Sequence, residues 1–327
     1  MTQTCEICGG VLEAHGVVPG YQAPSAYTIL RCETCNAMVA NPKSVNPAVY
    51  DAIYSVPGGP PGYDRNFQYA RAITRVRDPM RYLTSRQDAF WGVERALEGC
   101  PGKRILEVGC GLGYLTYALR QSGYEAIGID LSQDAVEKAK AAYGDFYIAE
   151  PIEEYALRSE ARFDAVILVE VIEHLEFPMT VIEKALDLLA PGGSLIVTTP
   201  NRSYYGRDAA WTTDLPPVHL WWLSEEAVMT MGKRLGCHTQ LVDFAEYNAR
   251  FPVLYVYKSP TESMFDEAGK LVRREILPIA LARRLGILQE SYWMASRAAG
   301  LFSRRRSARR PTLVAAFRPT FSQARAS

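Results

Sequence analysis

At 327 residues the chain is longer than a single hydrophobic core usually grows, so two domains, or one domain with appended modules, are expected. A content of 48% hydrophobic and 22% charged residues excludes a disordered chain and supports a sizeable core. Thirty-six basic residues balance thirty-six acidic ones, so no overall field draws in nucleic acid or an anionic membrane, and such a partner would need a local patch.

The opening MTQTCEICGG lacks the basic start and apolar run of a secretory signal, and no window reaches the roughly 18 apolar residues of a membrane span. A cytoplasmic protein is expected. In a reducing compartment its seven cysteines read as thiols or metal ligands rather than disulfides. Cys5, Cys8, Cys32 and Cys35 form two C-x2-C pairs separated by 23 residues, a spacing that brings four thiolates tetrahedrally around one zinc ion. Four sulfurs leave no open position for water or substrate, so the zinc is expected to be structural. A redox dithiol would open a helix after a strand, a context both pairs lack. The stretch YTILRC reads as a strand delivering Cys32, which predicts a zinc ribbon over residues 1–43. Cys100, Cys110 and Cys237 lie apart and read as core packing.

Residues 44–100 contain the breaker run SVPGGPPGYD and read as a linker followed by a helical segment. Over residues 101–250 strands at 104–108, 125–129 and 163–169 alternate with helical stretches near 115–121, 132–143 and 179–189. LAPGGSLIVTTPN adds a helix stop, a turn and another strand. This alternation predicts an α/β fold, Rossmann-like, with a parallel sheet and helices on both faces; ligands then bind at the carboxyl ends of the strands. In LEVGCGLGY a turn with Gly109, Gly111 and Gly113 follows the first of these strands. A dinucleotide fold needs G-x-G-x-x-G, and Tyr114 stands where its third glycine would be, which disfavours an NAD-dependent dehydrogenase.

LEVGCGLG, GIDLS, FDAVILVEVIEHLEFP and LAPGGSLIVTTPN, in that order, resemble the class I methyltransferases that use S-adenosylmethionine, in particular the small-molecule branch acting on quinones and sugars. YTILRCETCNAMVANP and DLPPVHLWWLSEEAV resemble segments of zinc-headed members of that group. The resemblance implies a seven-stranded sheet whose last, antiparallel strand is TLVAAFR within residues 311–327. It implies that Gly109, Gly111 and Gly113 admit the methionine moiety and ribose against bare backbone, and that Glu107 orders the turn and favours the ammonium. Asp130, 21 residues after Gly109, takes the ribose hydroxyls or, alternatively, caps the following helix. Leu131 packs on the adenine, Glu150 stands near its amino group, and Glu170 joins the same pocket.

Methyl transfer to a hydroxyl benefits from a general base, and Glu173, His174 and His219 are the candidates. Each also has a structural reading: Glu173 and His174 as loop-fixing groups, His219 as a buried histidine oriented by Asp214. Tyr204 and Tyr205 are expected at the pocket wall. VEVIEH replaces the Asn-Pro-Pro-Tyr type of loop that resembles enzymes methylating base amino groups, which points to an oxygen or carbon acceptor on a small molecule.

Residues 251–310 form a helical insertion, in which ten arginines against Glu275 and Glu290 between Arg273 and Arg310 give a local charge of +8. The expectations are a lid or homodimer surface, or a peripheral contact with the inner membrane face in which Trp293 and Phe302 dip below the arginines. The competing function is an RNA-modifying or RNA-binding protein gripping phosphates through ribbon and arginines; zero net charge and the missing amino-methylation loop stand against it, so no nucleic acid partner is expected.

Overall fold

The computed structural model describes residues 3–22, 25–44, 63–205, 215–254, 266–267, 278, 281–282, 285–301 and 307–320. The predicted linker, Asp214, Phe302 and most arginines of the insertion lie outside the described residues.

The first unit is an antiparallel sheet of β1 (Leu12–Pro19), β2 (Ala26–Cys32) and β3 (Met38–Asn41). Its fourth strand comes from far along the chain: β9 (Trp221–Trp222) pairs with β3, Val39 opposite Trp221 and Met38 opposite Trp222. The cysteine knuckles cap one end of this sheet. Its apolar side chains, with Ile7 and Cys32 fully buried, belong to the same core as Ile182, Leu195 and Trp221, so the ribbon has no core of its own.

Helices α1 (Asp64–Ala72), α2 (Pro79–Thr84) and α3 (Asp88–Leu97) follow. Pro79 opens α2 at the position where a missing N–H costs nothing, and Asp78 accepts from the Arg81 N–H at 3.0 Å. The second unit then alternates β4 (Arg104–Val108), α4 (Tyr114–Gln121), β5 (Glu125–Asp130), α5 (Gln133–Tyr143), β6 (Tyr147–Ala149), α6 (Ile152–Arg158), β7 (Phe163–Val169), α7 (Pro178–Asp187) and β8 (Leu189–Pro200). It closes with α8 (Glu225–Arg234), β10 (Cys237–Leu241), α9 (Ala245–Arg250), α10 (Ile287–Gly300) and β11 (Thr312–Pro319).

The seven-stranded sheet has the order β10-β11-β8-β7-β4-β5-β6. All neighbours from β8 to β6 are parallel, while β11 is antiparallel to both β8 and β10. The predicted last strand is thus present, inserted between β8 and β10. The near-continuous apolar runs of β4 and β7 are accounted for by burial on both faces: Ile105 joins the core beneath α1 to α4, and its neighbour Leu106 joins the opposite one. The chain runs outward from β4 to β5 and β6 on one side and to β7 and β8 on the other, so the topological switch lies beside the carboxyl end of β4.

Two features of the insertion differ from expectation because charge counting ignores partners. Trp293 does not face a membrane; it is buried in the core, edge-on to Phe251 at 5.7 Å. Arg310 is buried as well, bonding Asp88 Oδ2 at 2.5 Å, Asn248 Oδ1 at 2.6 Å and the Phe251 carbonyl at 2.7 Å, while Arg309 pairs with Glu225 at 2.8 Å. Removing Arg310 leaves the partly buried Asp88 carboxylate without its cation and the Asn248 and Phe251 carbonyls without their donor. Arg310→Ala is expected to lose about 3–5 kcal/mol of stability, read from denaturant unfolding, whereas Arg309→Ala, at an exposed pair, changes it by about 1 kcal/mol or less.

Candidate active site

The site is built where β4 and β5 end side by side. Beyond Val108 the chain turns through Gly109, Gly111 and Gly113, all at positive φ (+73°, +50° and +75°), and enters α4. The N–H groups of Gly109 and Cys110 both bond the Ile129 carbonyl, at 2.8 and 3.1 Å, stitching the turn to β5. A Cβ on Gly109 would sit 2.6 Å from Val171 Cγ2, and one on Gly113 2.6 Å from Tyr147 Cε1. Those two glycines answer to the protein's own packing. A Cβ on Gly111 would meet nothing within 4 Å, so among the three it is Gly111 whose bare face is open to a ligand.

Asp130 ends β5 beside it. Its Oδ2 accepts from the Gly111 N–H at 2.7 Å and its Oδ1 from the Ser132 N–H at 2.9 Å. The helix cap expected as an alternative role belongs instead to Ser132, whose Oγ accepts from the Ala135 N–H at 3.2 Å. A carboxylate offers about four acceptor sites, so these two bonds orient Asp130 and leave acceptor capacity. Leu131 follows with 77% of its surface exposed. An open glycine face, an oriented carboxylate and an exposed leucine are a donor set that fits a nucleoside carrying an amino acid and lacking phosphate.

Glu107, in β4, is buried and accepts from Thr116 Oγ1, which α4 turns inward. Burial pushes its carboxyl up to about 8. Glu150 is held by the Arg158 fork, with Nε at 2.7 Å from Oε1, and this hydrogen bond keeps its carboxyl below the usual range. Glu170 sits at φ +55°, unusual for a residue with a side chain, at the carboxyl end of β7; Thr198 Oγ1 donates to its Oε1 at 2.9 Å and accepts from its N–H at 3.0 Å.

The third group lies in the turn Ile172–His174 after β7. His174 Nδ1 donates to the Val218 carbonyl at 2.6 Å, which makes Nε2 the basic nitrogen; Nε2 is 3.9 Å from Glu173 Oε1. His219 packs edge-on to His174 with ring centroids 4.5 Å apart. Burial, with the Arg65 guanidinium adding to it, pushes the His219 imidazole down to about 3, so it is neutral at physiological pH and a weak base. One donor atom from each of Glu173, His174 and His219 lies within 4.8 Å of the others, close enough to share a proton or a cation. Tyr204 and Tyr205, with rings 5.4 Å apart, follow the end of β8.

The second donor set is the cysteine cluster, whose four sulfurs also lie within 4.8 Å of one another. Cys5 and Cys35 Sγ are 3.7 Å apart and Cys8 and Cys32 3.3 Å. Four sulfurs about 2.3 Å from one zinc ion are about 3.8 Å apart at tetrahedral angles, so the cage fits the ion in size and chemistry.

Sequence reasoning passed over Thr116, Thr198, Arg158 and Arg65. Thr116 was detectable as a polar residue on the inward face of an otherwise apolar helix start, and Arg158 lies only eight residues after Glu150; Thr198 and Arg65 act on residues far away in the chain and left no local signal.

The raised Glu107 carboxyl has a thermodynamic consequence. The unfolded chain ionises this group near pH 4.5 and the folded chain near 8, so between those values folding retains a proton that unfolding releases. Its contribution is complete below about pH 4.5 and is lost as the pH rises to about 8. Urea titrations across this window are expected to show wild-type stability declining, with the decline flattened in Glu107→Gln.

Residues 82–241 match the family model described as a methyltransferase domain. Among curated relatives the chain is 37% identical over 116 residues to a ubiquinone biosynthesis O-methyltransferase of Alkalilimnicola ehrlichii, covering 34% of this chain and 47% of that one. It is 35% identical over 108 residues to the enzyme of that name from Xanthomonas campestris pv. campestris, covering 32% and 45%. The chain spans about half the length of the curated relatives it matches. A solved S-adenosylmethionine-dependent methyltransferase from Archaeoglobus fulgidus is 14% identical with a TM-score of 0.43, over 84% of this chain and 100% of that one. The match to a methyltransferase domain over residues 82–241, the motif order and the seven-stranded topology agree with one another: this part of the chain is similar to a methyltransferase domain.

Proposed function

We propose that the protein transfers a methyl group from S-adenosylmethionine to an oxygen, or a carbon, of a small molecule such as a sugar, a quinone or another secondary metabolite, and that the cysteine cage holds a structural zinc ion. The observation that carries the reading is the Asp130 carboxylate, oriented by Gly111 and Ser132 at the switch point of the sheet beside an open glycine face. Asp130 would bind the two ribose hydroxyls, Gly111 would admit the ligand against its backbone, Leu131 would cover the adenine and Glu107 would stand behind the turn. S-adenosylmethionine, when bound, supplies an electrophilic methyl group. Beyond that the chain's task is alignment of the acceptor with that methyl, together with acceptance of the acceptor's proton. His174, with Nδ1 committed to Val218 and Nε2 basic, is the better placed base; His219, buried and neutral, supports it.

Calorimetric titration with S-adenosylhomocysteine is expected to show one site per chain. Asp130→Ala should weaken it about 10- to 100-fold, the range for losing charge-assisted hydrogen bonds, and Asp130→Asn should fall between the two. Unchanged affinity in both variants would remove the assignment.

For the partners, the reading includes peripheral contact with an anionic membrane surface. Ile287, Leu288, Met294 and Leu301 are exposed along α10 near Arg297, within the arginine-rich segment. No helix among the described residues is long and apolar enough to cross a membrane. The engagement of Arg309 and Arg310 inside the chain supports a small-molecule acceptor over a polyanionic one. Vesicles containing phosphatidylglycerol should retain the protein at low salt and release it at about 1 M salt, and Met294→Glu should reduce retention; equal retention by neutral vesicles would refute the charge argument.

A further inference from the structure

The cysteine cage and the His174–His219 pair are joined by a short, fully hydrogen-bonded path. The second knuckle is itself the turn of the β2–β3 hairpin: the Asn36 N–H bonds the Cys32 carbonyl at 2.8 Å, the Cys32 N–H bonds the Ala37 carbonyl at 2.9 Å, and Asn36 takes φ +57°. What fixes Cys32 and Cys35 therefore fixes where β3 lies. β3 in turn carries β9, through the Val39–Trp221 and Met38–Trp222 pairs and through the Ala40 N–H donating to the Leu220 carbonyl at 2.9 Å. Two further bonds reach the same segment from the ribbon, the Tyr21 N–H to the Pro216 carbonyl at 2.7 Å and Ser224 Oγ to the Cys35 carbonyl at 2.6 Å.

The catalytic domain holds the other edge of this segment. The Leu220 N–H donates to the Glu173 carbonyl at 2.8 Å, His174 Nδ1 donates to the Val218 carbonyl, and Trp221 Nε1 donates to the Leu175 carbonyl at 3.0 Å. Leu220 thus bonds the ribbon with its carbonyl and the turn after β7 with its N–H. His219 is the residue before it. A strand of two residues cannot define its own position; sheet pairing of that length is marginal without a third partner. The partner is a hairpin whose turn is the metal knuckle.

We infer that Cys5, Cys8, Cys32 and Cys35 are positioning residues for the histidine pair: zinc at the cage sets the β2–β3 hairpin, the hairpin sets β9, and β9 sets His219 against His174. This rests on the zinc and methyltransferase readings above, and it goes beyond a structural zinc because it assigns the ion a specific target. The donor cradle at Gly111 and Asp130 is built from β4, β5 and α4, none of which the ribbon supports through these bonds. Loss of zinc should accordingly uncouple the acceptor side while sparing the donor side.

The test compares full-length wild type, Cys8→Ala and Cys8→His, the last retaining four donors of a set zinc accepts. Zinc content, hydrogen exchange, [15N]histidine spectra and affinity for S-adenosylhomocysteine are measured on each. Wild type should hold one zinc. In Cys8→Ala, amides of residues 215–222 should exchange about tenfold faster or more, the His174 and His219 signals should shift or broaden while His238 on β10 stays put, and affinity for S-adenosylhomocysteine should remain within about twofold. Cys8→His should restore zinc, protection and both histidine signals. If Cys8→Ala does not fold, wild type stripped with a chelator and then reloaded with zinc gives the same comparison. Unchanged exchange and histidine signals after zinc loss overturn the inference. So does a loss of S-adenosylhomocysteine affinity in step with them, since that would make the ion a general stabiliser, and so does a wild type without zinc. Absence of S-adenosylhomocysteine binding in zinc-loaded wild type would remove the methyltransferase reading alone, with exchange and histidine spectra still deciding the coupling.

Discussion

The hydrogen bond from the Gly111 N–H to Asp130 Oδ2 is the constraint on which the candidate site depends. It ties the turn after β4 to the end of β5, two strands whose carboxyl ends are already adjacent because they pair in parallel register, Val108 beside Ile129. The turn can lie close to the segment after β7 and to β6 because no Cβ intervenes at Gly109 and Gly113, where Val171 and Tyr147 fill the space instead. Val171 belongs to the segment after β7 that also carries Glu170, Glu173 and His174. One glycine position therefore lets the turn lie against the segment that carries the polar cluster after β7, across the switch point of the sheet.

Much of this was legible in the sequence because the relevant signals are local. Cysteine spacing shows as a cage because metal geometry tolerates few alternatives, and β4, β5 and β7 show as apolar runs because both faces of the sheet are covered. Asp130 was legible from its distance to the glycines. What escaped was whatever depends on distant partners. β9 is too short to have a period, and its partner Val39 lies some 180 residues earlier, so nothing in PPVHLWWLS announces a strand of the ribbon. The arginine run looked like a patch because composition counts charges without their counter-ions, and Arg310 turned out to have Asp88. Of the three alternate glycines, Gly109 and Gly113 are also required by packing, since a Cβ there would strike Val171 or Tyr147.

The ribbon illustrates how a small module is kept folded. Fewer than 45 residues bury too little apolar area to stand alone, and such modules are usually held by metal, disulfides or association. Here association is visible: Ile7, Val39 and Cys32 share one core with Trp221 and Ile182, and Lys43 joins Glu6 at 2.9 Å while lying over the Phe177 and Trp221 rings. The ribbon's apolar side chains are therefore part of the core of the seven-stranded unit.

Buried polar groups separate into two kinds, and the separation argues for where chemistry occurs. Arg310, Asp88, Asn248 and Thr312 form a network in which the Arg310 charge meets an opposite charge and both Asp88 oxygens are bonded, the arrangement that makes burial affordable and rigid. Glu107 and His219 are equally inaccessible, near the carboxyl ends of β4 and β7, and there burial holds Glu107 protonated and His219 neutral at neutral pH. Groups kept in their uncharged forms by desolvation respond strongly to a charge placed beside them, because little solvent screens it. A ligand that brings a cationic centre to the end of β4, or an acceptor that yields a proton beyond β7, meets residues whose ionisation it can change, and that responsiveness is what a structural network of matched charges would lack.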